Sequence, residues 1–147
     1  MSVDYGQIRR LVADGLRAQV AAAAAVHDHE PGDLGAASPI LIVRRRGRGR
    51  DRLTARGGQT RVRLTIDAYY LASEAHDGTY TYADAADVVD AVATQIDAWI
   101  DANQTSAAGR WEAIAYDGDT TIEVGVFGAD GIPRIRESLD LTLTCFA

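Results

Sequence analysis

The sequence contains no lysine; all fifteen of its basic residues are arginine. That absence removes several chemistries at once. A Walker A phosphate loop cannot be built without its lysine. Neither a Schiff base nor an anchor for pyridoxal phosphate can form. A GC-rich coding bias is the simplest cause, because alanine, glycine and aspartate are abundant as well. Cysteine is nearly missing too. Cys145 stands alone, which excludes an internal disulfide and a secreted disulfide scaffold. It closes an apolar alternating segment and reads as a small core residue, since a thiol nucleophile would want a histidine partner nearby. Long apolar runs are also lacking. The longest, Val20 to Val26, is mostly alanine and far short of the ~20 residues of a spanning helix. The first residues, MSVDYGQIRR, lack the charged-then-apolar pattern of a signal peptide. The expectation is a soluble protein, made where it works, with no membrane partner.

Catalytic and metal-binding signatures are equally scarce. His27-Asp28-His29-Glu30 strings together metal-ligating residue types, but it sits at an expected helix end, where alternating histidines do not face one ion. Zinc also wants three or four ligands. His76-Asp77-Gly78 reads as turn chemistry. Asp117, Asp119 and Asp130 lie in calcium-like DGD and ADG pieces, without the twelve-residue pattern and its closing glutamate. There is no G-x-S-x-G elbow and no G-x-G-x-x-G fingerprint. Paired carboxylates have no evident pocket to raise a pKa. The sequence therefore predicts no catalytic residues, no metal, no cofactor and a protein that is not an enzyme.

What is present is a concentration of charge. Nine arginines fall between Arg44 and Arg63, against the single acid Asp51, so this stretch carries +8. The remainder holds six arginines and twenty acids, a net of −14. Such a molecule has two electrostatic faces and can meet an anionic partner at one place while repelling it elsewhere. Three readings compete: a solvated loop, contact with an acidic protein neighbour, and contact with a nucleic-acid backbone. The RGRGR and ARGG pieces are similar to arginine-glycine motifs of RNA-binding tails. Phosphate contact needs only charge and reach. The stretch has no aromatic residue, however, so bases have no stacking platform.

The pattern along the chain predicts one α+β domain, residues 1–147. Ser2 to about Val26 reads as a helix, capped by Ser2 or Asp4, with Tyr5, Ile8, Leu11, Val12, Leu16, Val20 and Ala23 on one face. Pro39 to Arg45 reads as a strand, followed by an extended Arg/Gly-rich loop over 47–59. From about Thr60 to Leu71, Val62, Leu64, Ile66, Ala68 and Tyr70 alternate with polar residues, as in a half-buried strand. A second helix spans Tyr82 to about Ala102, with Thr81 as its cap. Its apolar stripe is Ala85, Val88, Val89, Val92, Ile96, Trp99 and Ile100. Asp97 and Asp101 oppose the dipole at its end, which points to solubility or an interface. Strands Trp111–Tyr116 and Thr120–Phe127 flank Asp117-Gly118-Asp119, a hairpin signal. A last strand covers about Ile135 to Phe146. The order is α-β-β-α-β-β-β. It predicts a mostly antiparallel or mixed sheet of about five strands, two helices on one side, and a long basic hairpin loop.

This layout resembles the tail terminator proteins of long-tailed, siphovirus-type bacteriophages. The resemblance runs over nearly the whole chain: the N-terminal helix near Tyr5 to Val26, PILIVRR, an extended loop, TRVRLTIDAYYLA, the helix YADAADVVDAVATQIDAWI and the final RESLDLTLTCFA. It rests on order more than on signature residues. It implies a structural virion protein of the tail and neck, assembled in the host cytoplasm. Such proteins form a homohexameric ring that caps the tail tube, ends its polymerisation and joins tail to head. The implied partners are further copies of the chain, the tail tube protein and a head-completion or connector protein, with non-specific DNA contact in the lumen. The dense arginine after the first strand departs from that pattern.

The residues expected to make protein-interface or DNA-backbone contact are Arg44, Arg45, Arg46, Arg48, Arg50, Arg52 and Arg56. Asp97 and Asp101 are the candidate acidic partners. Rival readings are another neck or minor tail component (a head-closure or tail-completion protein), or a small nucleic-acid-binding module using the same arginines.

Overall fold

In the computed structural model the described residues are 3–31, 34, 38–52, 58–71, 73–74, 80–81, 86–106, 109–127 and 131–146. At 50–52, 73–74, 80–81 and 146 the backbone alone is described. Helix α1 spans Tyr5–Gln19. It is started by Asp4, whose carboxylate accepts from the Gln7 amide at 2.9 Å. It buries Ile8, Val12, Ala13 and Leu16.

The alanine run does not prolong this helix. Its Val20 amide still reaches the Leu16 carbonyl, but Ala22 donates to Gln95 Oε1 at 3.0 Å and Ala24 to the Pro39 carbonyl at 2.8 Å. Val20 and Val26 are both buried. Burying both valines from a straight helix would demand one shared face. The chain turns instead, and tertiary contact overrides alanine's helix propensity. Ala25–His27 then forms a short strand, β1, where the sequence suggested helix.

Strands β2 (Ile40–Arg52) and β3 (Gly58–Leu71) pair antiparallel from Ile40↔Tyr69 to Arg52↔Gly58. Much of the expected loop over 47–59 is therefore strand. The β3 ladder supplies backbone partners that offset the low strand propensity of Gly47 and Gly49. A register shift between Arg45 and Gly47 leaves Arg46 as the extra residue of a bulge. A two-stranded piece, β4 (Ser73–Glu74) with β5 (Tyr80–Thr81), follows. Helix α2 is described from Ala86 to Ala102. The expected start at Tyr82 lies outside the described residues, and Thr81 belongs to β5.

Asp117-Gly118-Asp119 does not turn a hairpin. Strands β6 (Ala113–Tyr116) and β7 (Thr121–Val126) do not pair with each other. Both pair antiparallel with the long β8 (Pro133–Phe146): β6 with Leu141–Thr144 and β7 with Pro133–Ser138. They are two halves of one edge strand. Asp117–Thr120 makes an excursion opposite Leu139–Asp140, where Gly118 takes φ +87° and the Asp117 amide donates to the Asp140 carbonyl at 2.8 Å. A hairpin would have left one side of β8 uncovered along much of its length. Two halves in line cover both stretches.

The result is an α+β fold whose six-stranded mixed sheet runs β1-β2-β3-β8-β6, with β7 beside β6 on β8. β1 pairs parallel with β2 through Ala25↔Ile40 to His27↔Ile42, and every other pairing is antiparallel. Both helices share one core with a single face of the sheet. Val62, Leu64, Ile66, Ala68 and Tyr70 of β3 and Leu139, Leu141, Leu143 and Cys145 of β8 lie in it. That alternation is the one the sequence predicts. A small second cluster, Ile40, Ile42 and Tyr69 against Leu34 and Phe127, covers part of the opposite face. Among the described residues no helix is long and apolar enough to cross a membrane.

Candidate interaction surface

Pleating sends the arginines of β2 to two sides of the sheet. Arg44 stands opposite Thr65, on the face without helices. Its guanidinium is held between two carboxylates. Nε and Nη2 reach Glu30 Oε2 at 2.7 and 2.6 Å, and Nη1 donates to Asp67. Nη2 also donates to the Tyr69 hydroxyl at 3.2 Å. Asp67 accepts from Ser138 Oγ as well, at 2.5 Å. The Asp67 side chain is 9% exposed and that of Arg44 28%. Burial opposes the charge on Arg44, but the hydrogen bonds to Tyr69 and Glu30 and the charge of Asp67 outweigh it and raise its pKa.

Arg46, pushed out by the bulge, bonds Asp117 at 2.6 Å and lies 3.5 Å from Asp140. Asp140 in turn accepts from Thr65 at 2.7 Å. The Arg46 hydrogen bond lowers the pKa of the exposed Asp117. Arg45 and Arg48 take the other side, opposite Leu64 and Val62. Their guanidinium carbons lie 5.6 and 5.3 Å from the ring centroid of Tyr5, at the start of α1. Arg50 and Arg52 continue the ladder opposite Thr60 and Gly58. Arg56 lies outside the described residues. Of the candidate contact residues, then, Arg44 and Arg46 are engaged by acids of their own chain, while Arg45 and Arg48 rest on an aromatic ring at the surface.

The His27-to-Glu30 segment forms part of a cleft of about 520 Å³, lined by Gly6, Arg9, Asp28, His29, Glu30 and Arg44 among others. Asp28 and His29 bond each other at 2.7 Å, which lowers the Asp28 pKa, and Glu30 is taken by Arg44. Those acids are engaged by neighbouring side chains of their own chain.

A second surface gathers acids. Asp90, Asp97 and Asp101 are exposed on α2. Their spacings of seven and four place them on one helical face. Asp97 accepts from the Tyr116 hydroxyl, and burial together with that bond raises the Tyr116 pKa. Beneath them Glu137 is buried on the helix side of β8, at 6% exposure. Desolvation raises its pKa. The hydrogen bond from Thr120 opposes that rise, and the charges of Asp97 and Asp90 add to it. Glu137 Oε1 and the hydroxyl of the 1%-exposed Tyr70 have no hydrogen-bond partner. Asp97 and Asp101 are the acids expected from the sequence; Asp90 and Glu137 join them in the fold. The signal was available: Glu137 shares parity with Leu139, Leu141 and Leu143, which puts a carboxyl on the core face.

The chain matches no protein-family profile and no curated protein at a significant level.

Proposed function

We propose that this chain is a structural assembly subunit, a tail terminator of a long-tailed bacteriophage. Copies of it join head to tail into a ring that caps the tail tube, ends its polymerisation and connects the tail to the head. One observation supports self-association: among the described residues the sheet is open at both ends, and the ends are unlike. At one end β2 outruns β1, which covers only Ile40–Ile42. Among the described residues the outer backbone edge from Val43 to Arg52 has no strand partner, and it is rich in arginine. At the other end, among the described residues, β7 pairs only with β8 and exposes Ile122, Val124 and Val126 beside Glu123. An unpaired edge is a template for another strand. A contact of like edges sets arginine against arginine, whereas a head-to-tail contact joins unlike surfaces, and such heterologous contacts close into rings.

The tail assignment itself is supported by the resemblance in element order. In it the mechanism is shape and self-association, with six copies around a lumen that passes DNA. Light scattering and negative-stain imaging test the reading. The expected result is a ring of about six copies that, added to polymerising tail-tube protein, caps and shortens the tubes. A strict monomer, both at high concentration and on tube ends, overturns it. A monomer that binds DNA with a steep salt slope would instead favour the nucleic-acid module.

A further inference from the structure

We propose that the acidic stripe of α2, Asp90, Asp97 and Asp101 above Glu137, receives the free arginines of β2, Arg45 and Arg48, from a second copy of this chain. The proposal rests on the ring reading and names the two surfaces that meet in it.

Two observations on the receiving side point to a cationic partner. No arginine among the described residues forms an ion pair with any of the four acids. Asp97 and Asp101 also stand near the negative end of the helix, where α2 has no basic residue in its last turn. Among the described residues the three aspartates have no cationic partner, and Asp97 takes its hydrogen bond from Tyr116. Independently, Glu137 and Tyr70 are more than nine-tenths buried and aim an unpartnered carboxylate oxygen and an unpartnered hydroxyl beneath the stripe. Buried polar groups are ordinarily satisfied. Each exposed aspartate above them adds negative potential that a docked cation would relieve, and Glu137 feels both Asp90 and Asp97.

On the donating side the structure narrows the choice. Arg44 and Arg46 are held by Glu30, Asp67, Asp117 and Asp140. Arg45 and Arg48 are exposed, lie over the ring of Tyr5, and flank the open edge. The bulge at Arg46 leaves Arg45 and Arg48 opposite Leu64 and Val62, two residues apart on β3, so they stand about 7 Å apart along the strand. Four along a helix, Asp97 to Asp101, span about 6 Å. Two guanidinium forks at that spacing match two carboxylates, a geometry that lysine would not reproduce.

The test compares self-association by sedimentation velocity for four chains: the wild type, R45E/R48E, D90R/D101R and all four changes together. Asp97 is left in place to keep its bond to Tyr116, and thermal melts check that each variant folds. Each double variant is expected to weaken association about tenfold or more. The fourfold swap is expected to restore it to within about threefold of wild type. If D90R/D101R assembles like wild type while R45E/R48E does not, the arginines dock elsewhere; this inference falls and the ring reading stands. Two folded double variants with no rescue in the swap also overturn the pairing. If the wild-type chain itself never assembles, the ring reading fails and takes this one with it.

Discussion

Gly15 and Gly47 are expected to answer the same substitution in opposite ways. A β-carbon on Gly15 would lie 2.3 Å from Trp99 Nε1, in the seam where α1 meets α2, and Trp99 is itself buried. Gly15→Ala should therefore destabilise the fold by about 1–3 kcal/mol, read as a lower urea midpoint. Gly47 has open space around its position and an ordinary strand backbone. Gly47→Ala should gain roughly 0.5–1 kcal/mol by restricting the unfolded chain. Arg44 sets a larger effect. Arg44→Ala strips the cation from Asp67, and such a loss costs about 3–5 kcal/mol when fully buried. The partial exposure of Arg44 lowers the expectation to about 2–3 kcal/mol. A double-mutant cycle with Asp67→Ala should recover part of it. Glu137 gives a pH signature. Its pKa is raised in the fold above the ordinary 4.5, so the folded chain holds this proton more tightly than the unfolded one. Stability from this group is greatest below 4.5 and is lost as pH rises through the folded value. Glu137→Gln should be more stable than wild type near neutral pH, with the advantage shrinking as the solution is acidified.

Elements differ in how plainly the sequence announced them. The half-buried strands were legible because their alternation is strict: Val62 to Tyr70 and Leu139 to Cys145 each put every second residue in the core. The buried face of α2 was legible for the same reason, except that Val88 is exposed at its first turn. What escaped was decided by partners distant in sequence. The alanine run turns because Gln95 and Pro39 capture its amides. The arginine-glycine stretch is strand because β3 lies beside it. Asp117-Gly118-Asp119 looks like a hairpin, yet β8 takes both flanking segments. Of the candidate surface, the charge asymmetry could be read directly, but which arginines are free could not, since that depends on Asp67, Asp117 and Asp140 across the sheet. Amide exchange makes the edge visible. In the monomer the β2 amides from Val43 to Arg52 that point away from β3 should exchange fast, and those bonded to β3 slowly. Assembly into the proposed ring should slow the outward set, and an unchanged outward set would mean that the edge is not a contact.

At the scale of the molecule, the proposed association is one that charge would govern. A +8 stretch facing a −14 remainder attracts copies over a distance set by the solution. The Debye length falls from about 10 Å at 0.1 M salt to about 3 Å at 1 M. Raising salt across that range should weaken self-association measured by light scattering, whereas assembly driven by the apolar β7 residues would persist. The order of the strands bears on something else. The fourteen-residue β8 joins β3 to β6 and β7, and it follows all three in the chain. On a translating ribosome its neighbours are therefore made before the strand that unites them. In the proposed ring, a chain that has not yet made β8 has no β7 edge held in the sheet with which to claim a place beside a complete copy.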